Sequence, residues 1–541
     1  MSVTISASTS TTASLPNVNP AFLTETEARA WLDAQPLAST VQMQSQLQRQ
    51  LRLLNLHTLP ASERLAILET LRSQIYRTQR ECQTRFARRP IPLAPPEQAA
   101  FDAAQATWRT LADGYIRCLE SLLTGEIAVQ DKAALIVERI LATLVNAQID
   151  IYHSSGLPAP EHWHQLHQCI EVAEQLGIVA EPVKDRLHNA EAPVSIEAIY
   201  AEAFLLHNAN LNELGQRQMA WALRWARRWS NRVALREFTF ESKGPAAPFY
   251  VALDGKEPAR HSVPAQGKIR MFDTAELRRS LKKRLAGLAG GQRPAELQLG
   301  DDCVQPSTEQ LLNALYQRWC KNIAPRRHER RPRNDNAMLH CGIEEAHRVF
   351  LAGRAFQLPG VVDMNRLRRE REEMSSLVQP LAMATSDAPR FPTDGETWQL
   401  IDESASGMRM MRVAGKSRIA VGMLVTLQVP GVRQPILASV HWCMMNGDGK
   451  LEMGVQMIPG QAEAHAVGGK SHDAKAVAWE RALLLPAVPA LKEVSTLLLP
   501  NGWFEPGRVL ELHENGKSHN VRLGQPLERG RDFDRVTFSD A

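Results

Sequence analysis

The chain has 541 residues, 44% of them apolar and 23% charged, with 63 Lys and Arg against 59 Asp and Glu for a formal net charge of +4. That length exceeds one hydrophobic core and predicts two to four domains. The near balance of charge does not demand nucleic acid, and none is expected, but it suits an anionic small ligand. The seven cysteines are scattered and form no C-x-x-C, which argues against a disulfide framework or zinc ribbon and fits a reducing cytoplasm. The polar start, Ser2 to Ser14, has no basic region followed by an apolar stretch and is not expected to be a secretory signal. No apolar run approaches the roughly 20 residues that a membrane-crossing helix needs.

Residues 1–20 are small and polar and predict a disordered tail. Residues 21–90 predict a helical hairpin. Thr24 with Glu27 three residues later opens a helix to Gln35 with a capping box. Val41–Leu56 and Ser62–Arg88 follow, broken at Pro60, and Leu65, Leu68, Leu71, Ile75 and Gln79 form one stripe of the second. A proline-rich joint spans Arg89 to Pro96. Residues 97–235 predict a bundle of roughly five helices, with breaks at Gly125, at Gly156 to Pro160 and at Gly177 to Ser195.

Residues 236–320 change character and predict a small α+β domain. Phe238–Glu241, Phe249–Leu253 and Lys268–Phe272 read as strands. A helix carrying the stripe Leu277, Leu281, Leu285 and Leu288 follows, then another over Ser307–Lys321. Residues 321–462 begin with an arginine knot and a strand near Met338–Cys341, then a helical insertion near 344–390 interrupted at Pro359-Gly360. Five strands come next: Thr397–Ile401, Gly407–Val413, Leu424–Val429, Ile436–Met444 and Lys450–Ile458. Pro430-Gly431 and Asn446-Gly447-Asp448-Gly449 supply turns, and the succession predicts a small antiparallel barrel. Residues 463–541 read as a second small β domain, with strands at Thr496–Leu499, Val509–Glu514, Asn520–Leu523 and Arg535–Phe538 and a hairpin turn at Asn515-Gly516.

Several motifs have bland readings that outweigh the sharp ones. Trp221, Trp225 and Trp229 share a helix face beside Arg224, Arg227, Arg228 and Arg232; a core stripe with a solvated rim is favoured over a membrane-surface helix. His162, His164 and His167 cluster near Trp163 and read as structural, surface or partly buried, rather than as metal ligands. Arg278, Arg279, Lys282, Lys283 and Arg284 read as a solvated face. P-loop, G-x-G-x-x-G after a strand, H-E-x-x-H and G-x-S-x-G patterns are absent. No catalytic residues, metal site or cofactor are nominated, and an enzyme is the least supported class.

The remaining motifs form a pair. The knot holds Arg326, Arg327, Arg330 and Arg331, and far downstream, between two predicted strands, runs Asp402-Glu403-Ser404-Ala405-Ser406-Gly407. Guanidiniums four apart can grip phosphate or the O6/N7 edge of guanine, and a carboxylate can accept from guanine N–H groups. The glycine lets backbone approach a flat ligand. This pair resembles the PilZ domain family of bacterial cyclic di-GMP receptors, which carries R-x-x-x-R followed by D/N-x-S-x-x-G. The resemblance covers roughly residues 321–462, and Leu451–Met457 is similar to the family's closing strand. It implies a cyclic di-GMP site at Arg326, Arg327, Arg330, Arg331, Asp402, Ser404 and Gly407. Arg326 with Arg330 and Arg327 with Arg331 both satisfy the spacing, and the first pair is preferred because it sets Pro332 as the family often has it. The gap between the motifs is longer than the family's pattern.

The expected fold class is multidomain α+β: an all-α helical N-terminal half, a small α+β linker domain, a PilZ-like antiparallel β-barrel with a helical insertion, and a second small β domain. The expected function is a cytoplasmic receptor that couples cyclic di-GMP to an unidentified protein partner held by the helical half. By the resemblance, its output is motility, attachment or exopolysaccharide control. The rival readings are a helical interaction scaffold whose barrel no longer binds nucleotide, and an arginine-rich nucleic-acid regulator.

Overall fold

The structure, a computed structural model, describes residues 19–35, 39–189, 192–238, 247–321, 329–352, 359, 391–470, 477–514 and 517–541. The chain divides into two compact units, residues 1–326 with 445–447, and residues 327–444 with 448–541.

The first unit is built on helices whose ends follow from local chemistry. Helix α1 (Glu25–Asp33) starts at Thr24, whose hydroxyl accepts from the Glu27 N–H while Glu27 reaches back to the Thr24 N–H. Ser39 caps α2 (Thr40–Leu56), and α3 (Ala61–Gln83) follows Pro60. Next come α4 (Pro95–Leu123), α5 (Ala133–His153) and α6 (Pro160–Leu176). Helix α6 stops at Gly177, whose φ of 72° ends it in the left-handed region. A short ladder of β1 (Pro182–Val183) and β2 (Val194–Ser195) precedes α7 (Ile196–Asn208), with Ser195 as its cap, and then α8 (Gln216–Trp229).

Three strands form a small sheet in the order β3 (Ala234–Glu237), β5 (Ile269–Asp273), β4 (Phe249–Ala252). Helices α9 (Ala275–Ala289) and α10 (Ser307–Cys320) complete the unit. The first of these strands starts upstream of the expected Phe238–Glu241, of which 239–241 lie outside the described residues. Ala234 to Glu237 carry no alternation of their own, and pairing with β5 decides the strand.

One hydrophobic cluster runs through all of these elements, from Phe22 to Cys320, so the helices and the mixed segment share a core. Trp221, Trp225 and Trp229 are at most 1% exposed and stack in series, with ring centroids 6.3 and 5.7 Å apart. The stripe is core. His167 is buried as well; its ring bonds the Tyr200 hydroxyl at 2.8 Å and the Glu257 carbonyl at 3.0 Å. Among the described residues no helix is long and apolar enough to cross a membrane.

The second unit holds two β-barrels. The first is a ring in the order β8 (Glu396–Ser404), β7 (Asn336–Cys341), β10 (Leu424–Gln428), β11 (Ile436–Met445), β12 (Leu451–Met457), β9 (Gly407–Ala414), closed by pairing of β9 with β8. A two-residue strand, β6 (Arg331–Pro332), lies on the same edge of β8 as β7. The second barrel closes in the order β13 (Glu463–Lys470), β14 (Val477–Leu485), β15 (Thr496–Pro500), β18 (Phe533–Asp540), β17 (Lys517–Arg529), β16 (Val509–Glu514). Closure removes exposed strand edges from both.

Helix α11 (Ile343–Leu351) is the described part of the expected insertion; 353–358 and 360–390 lie outside the described residues. Ile343, Ala346 and Phe350 join one cluster with Leu424 and Leu437 of the first barrel and Leu483, Leu498 and Phe533 of the second. The Asp532 carboxylate accepts from the Leu424 N–H at 2.9 Å, a further tie between the barrels. The interior of the second barrel is Val467, Leu497, Leu499, Leu510, Leu512, Val521, Leu523 and Val536.

Candidate ligand-binding site

Pairing along one edge of β8 places the arginine segment. Strand β7 runs antiparallel to β8 from Asn336↔Gln399 to Leu339↔Glu396. Upstream, the Leu400 N–H donates to the Asp335 carbonyl at 2.8 Å and the Arg333 N–H to the Ile401 carbonyl at 2.9 Å. Strand β6 continues the ladder with Pro332↔Asp402 and Arg331↔Glu403. The downstream half of the knot is thus strapped by backbone bonds to the strand carrying the second motif. The long insertion does not prevent this, because it enters the chain after β7 has already been laid down.

A bulge decides which face Asp402 occupies. Leu400 pairs with Met410 and Asp402 with Arg409, so β8 spends an extra residue, Ile401, against one step of β9. Directly opposed residues of an antiparallel pair share a face. Leu400 and Met410 are both fully buried, and unbroken alternation would send Asp402 inward with Leu400. The bulge instead puts Asp402 on the outer face with Arg409, and Ser404 follows two residues on.

Arg330 and Asp402, 72 residues apart in the chain, meet there: an Arg330 Nη1–H donates to Asp402 Oδ1 at 2.5 Å. Their side chains are 34% and 18% exposed. The Arg333 guanidinium donates to Glu403 at 3.0 Å and to Asp335 at 2.7 Å, contacts that hold it above its ordinary pKa. Arg409, opposite Asp402, donates to Glu452 of β12 at 2.8 Å. Arg331 is exposed and makes no side-chain bond or ion pair among the described residues. On the outer face the Arg330–Asp402 and Arg409–Glu452 pairs thus set guanidiniums beside carboxylates, whereas Glu403, opposite Arg331 and the buried Met408, belongs to the other face of β8.

The other expected residues have local roles. The Ser404 hydroxyl donates to the Gly407 carbonyl at 3.2 Å and braces the β8–β9 turn. A Cβ on Gly407 would stand 2.5 Å from the Val455 carbonyl oxygen, so close packing of β9 on β12 requires glycine there. Arg326 and Arg327 lie outside the described residues. Arg333 and Arg409 were not singled out from the sequence. Arg409 could have been found by setting β9 in register against Asp402, whereas Arg333 carries no signal that separates it from its arginine neighbours.

Comparison with known proteins adds an independent line. Along nearly its whole length the chain is similar to FimW. It is 24% identical over 571 aligned positions to the cyclic-di-GMP receptor FimW of Pseudomonas aeruginosa, an alignment covering 96% of this chain and 91% of that protein. Residues 26–239 match the family model of the FimW N-terminal domain, and residues 470–541 match that of the FimW C-terminal beta-barrel domain. These stretches fall on the helical unit and the second barrel, and the first barrel, with the Arg330–Asp402 pair, lies between them.

Proposed function

We propose that this chain is a cyclic di-GMP receptor, with the ligand taken at the outer corner of the first barrel where β6 meets β8. The observation that carries the reading is the Arg330–Asp402 bond, which joins the two halves of a ligand motif across a gap of 72 residues. Similarity to a protein named as a cyclic-di-GMP receptor supports the same ligand class.

The chemistry follows from the donors. Each arginine fork can bind one phosphate or one guanine edge in two-pronged fashion. In the free protein Asp402 occupies Arg330. The ligand exchanges that bond for its own, with guanidinium on phosphate or guanine and carboxylate on guanine N–H groups. The upstream arginines Arg326 and Arg327 complete the grip, and Ser404 and Gly407 hold the turn beneath it; Arg331, opposite Glu403, lies on the other face of β8 from Asp402. Strapping of β6 to β8 lowers the ordering cost of binding. On this reading the first barrel, residues 321–462, is a PilZ-like domain in a cytoplasmic signalling protein, and the helical half presents surfaces to a protein partner.

Isothermal titration of the full chain with cyclic di-GMP tests the proposal. Saturable heat at micromolar ligand is expected. Absence of heat and of thermal protection at tens of micromolar ligand rejects it and leaves the helical scaffold reading.

A further inference from the structure

The helical unit contains a cleft of about 680 Å³ between α3, α4 and α5 on one side and α8 and α9 on the other. That volume lies within the range of small-molecule sites, roughly 300–1,000 Å³. Its charge is one-sided. Six of its described lining residues are arginines, Arg80, Arg224, Arg227, Arg228, Arg232 and Arg284, against one carboxylic acid, Asp150. Asp150 is itself pushed up to about 6 by burial, although Gln83 and Trp108 both donate to it.

The cations are not all neutralised. Arg224, Arg227 and Arg232 are tied to Asp302, Glu202 and Glu276. Among the described residues the Arg284 guanidinium donates only to neutral acceptors, the Leu297 and Ser280 carbonyls and the Ser280 hydroxyl, and it lies 5.3 Å above the Trp229 ring. Burial, with the neighbouring charges of Arg232 and Arg228, lowers its pKa, so these guanidiniums crowd one another. Arg80 is exposed at the opposite wall and makes no side-chain bond or ion pair among the described residues. Holding like charges together around an open cleft costs stability unless an anion comes between them. Trp108 and Tyr76 add aromatic surface and Gln83 an amide on the side facing the arginines, the complement of a flat polar ring.

We infer that this cleft binds a phosphorylated small molecule, with its phosphate oxygens on Arg80 and Arg284. It is separate from the barrel corner and does not depend on the function proposed there. The shared chemistry is a phosphate carrying at least two negative charges, and a nucleotide and a free condensed phosphate would both supply it.

The test uses the full chain carrying Asp402→Ala, which lacks the barrel carboxylate, titrated with pyrophosphate, GTP and cyclic di-GMP at fixed ionic strength. The readouts are tryptophan fluorescence and thermal shift, since Trp108 and Trp229 line the cleft. At least one probe should bind saturably. Arg284→Ala should weaken it about ten- to a hundredfold, the loss of a charge-assisted bond, and the exposed Arg80→Glu, which cannot disturb the core, by several-fold. Pyrophosphate binding as well as GTP identifies the phosphate as the recognised group; GTP or cyclic di-GMP alone identifies a nucleotide. No response to any probe at millimolar concentration, or binding indifferent to both substitutions, overturns the inference.

Discussion

Replacing Asp402 separates a ligand role from a structural one. The Arg330–Asp402 pair is 34% and 18% exposed, and ion pairs with this much solvent contribute no more than about 1 kcal/mol. Asp402→Ala should therefore leave the urea-unfolding free energy of the second unit within about 1 kcal/mol of the parent. Binding should respond far more. A carboxylate that accepts from guanine N–H groups contributes about 1.5–3 kcal/mol, so affinity for cyclic di-GMP should fall by roughly ten- to a hundredfold. Arg330→Ala removes the partner and should weaken binding at least as much, and affinity in the parent should fall as salt rises. Arg348→Ala, which breaks a comparably exposed pair with Glu345 and Asp394, is the control and should bind normally. Calorimetric titration of the four proteins, alongside urea melts, distinguishes the outcomes. Parent-like affinity in both Asp402→Ala and Arg330→Ala, with the parent itself binding, would refute the placement of the site. A large drop in unfolding free energy would refute the magnitude argument.

Other substitutions probe packing. Gly407→Ala forces a methyl to within 2.5 Å of the Val455 carbonyl and should destabilise the second unit by about 1–3 kcal/mol, read by urea unfolding; an unchanged midpoint would mean that β9 and β12 shift apart freely. Trp225→Ala empties the middle of the fully buried tryptophan series and should cost about 3–5 kcal/mol, seen as loss of the cooperative melt of the helical unit. Acidification should weaken the helical unit between about pH 6.5 and 4. Burial holds His153, His162, His167 and His207 down to about 4. The unfolded chain therefore takes up protons in that window and the folded one does not. Glu138 and Asp150, pushed up by burial to about 8 and about 6, bind protons in the folded state and act in the opposite direction, so the decline should be shallower than the four histidines alone would produce. A thermal melt that rises steadily from pH 6.5 to 4.5 would contradict this sign.

Much of the local structure could be read from the sequence because its cause lies within a few residues. The Thr24–Glu27 capping box, the Leu65 to Ile75 stripe and the strand expected from Leu424 all appear as elements. The signal failed where side chains carry little preference. Strand β13 contains Ala464, Ala466, Gly468 and Gly469, residues with low strand propensity, and is a strand because β14 and β16 flank it.

The candidate site divides in the same way. That arginines and a carboxylate stand ready for an anionic, hydrogen-bonding ligand is legible in residue types and spacing. Whether they meet is not, since it depends on β6 and β7 sharing an edge of β8 and on a bulge at Ile401 that reverses the face of Asp402. Composition could not foretell the arginine cleft of the helical unit either, because it takes one wall from α3 to α5 and the other from α8 and α9. Backbone preference and hydrophobic period act over one or two turns of chain, whereas register, face and enclosure are set only when distant segments close upon each other.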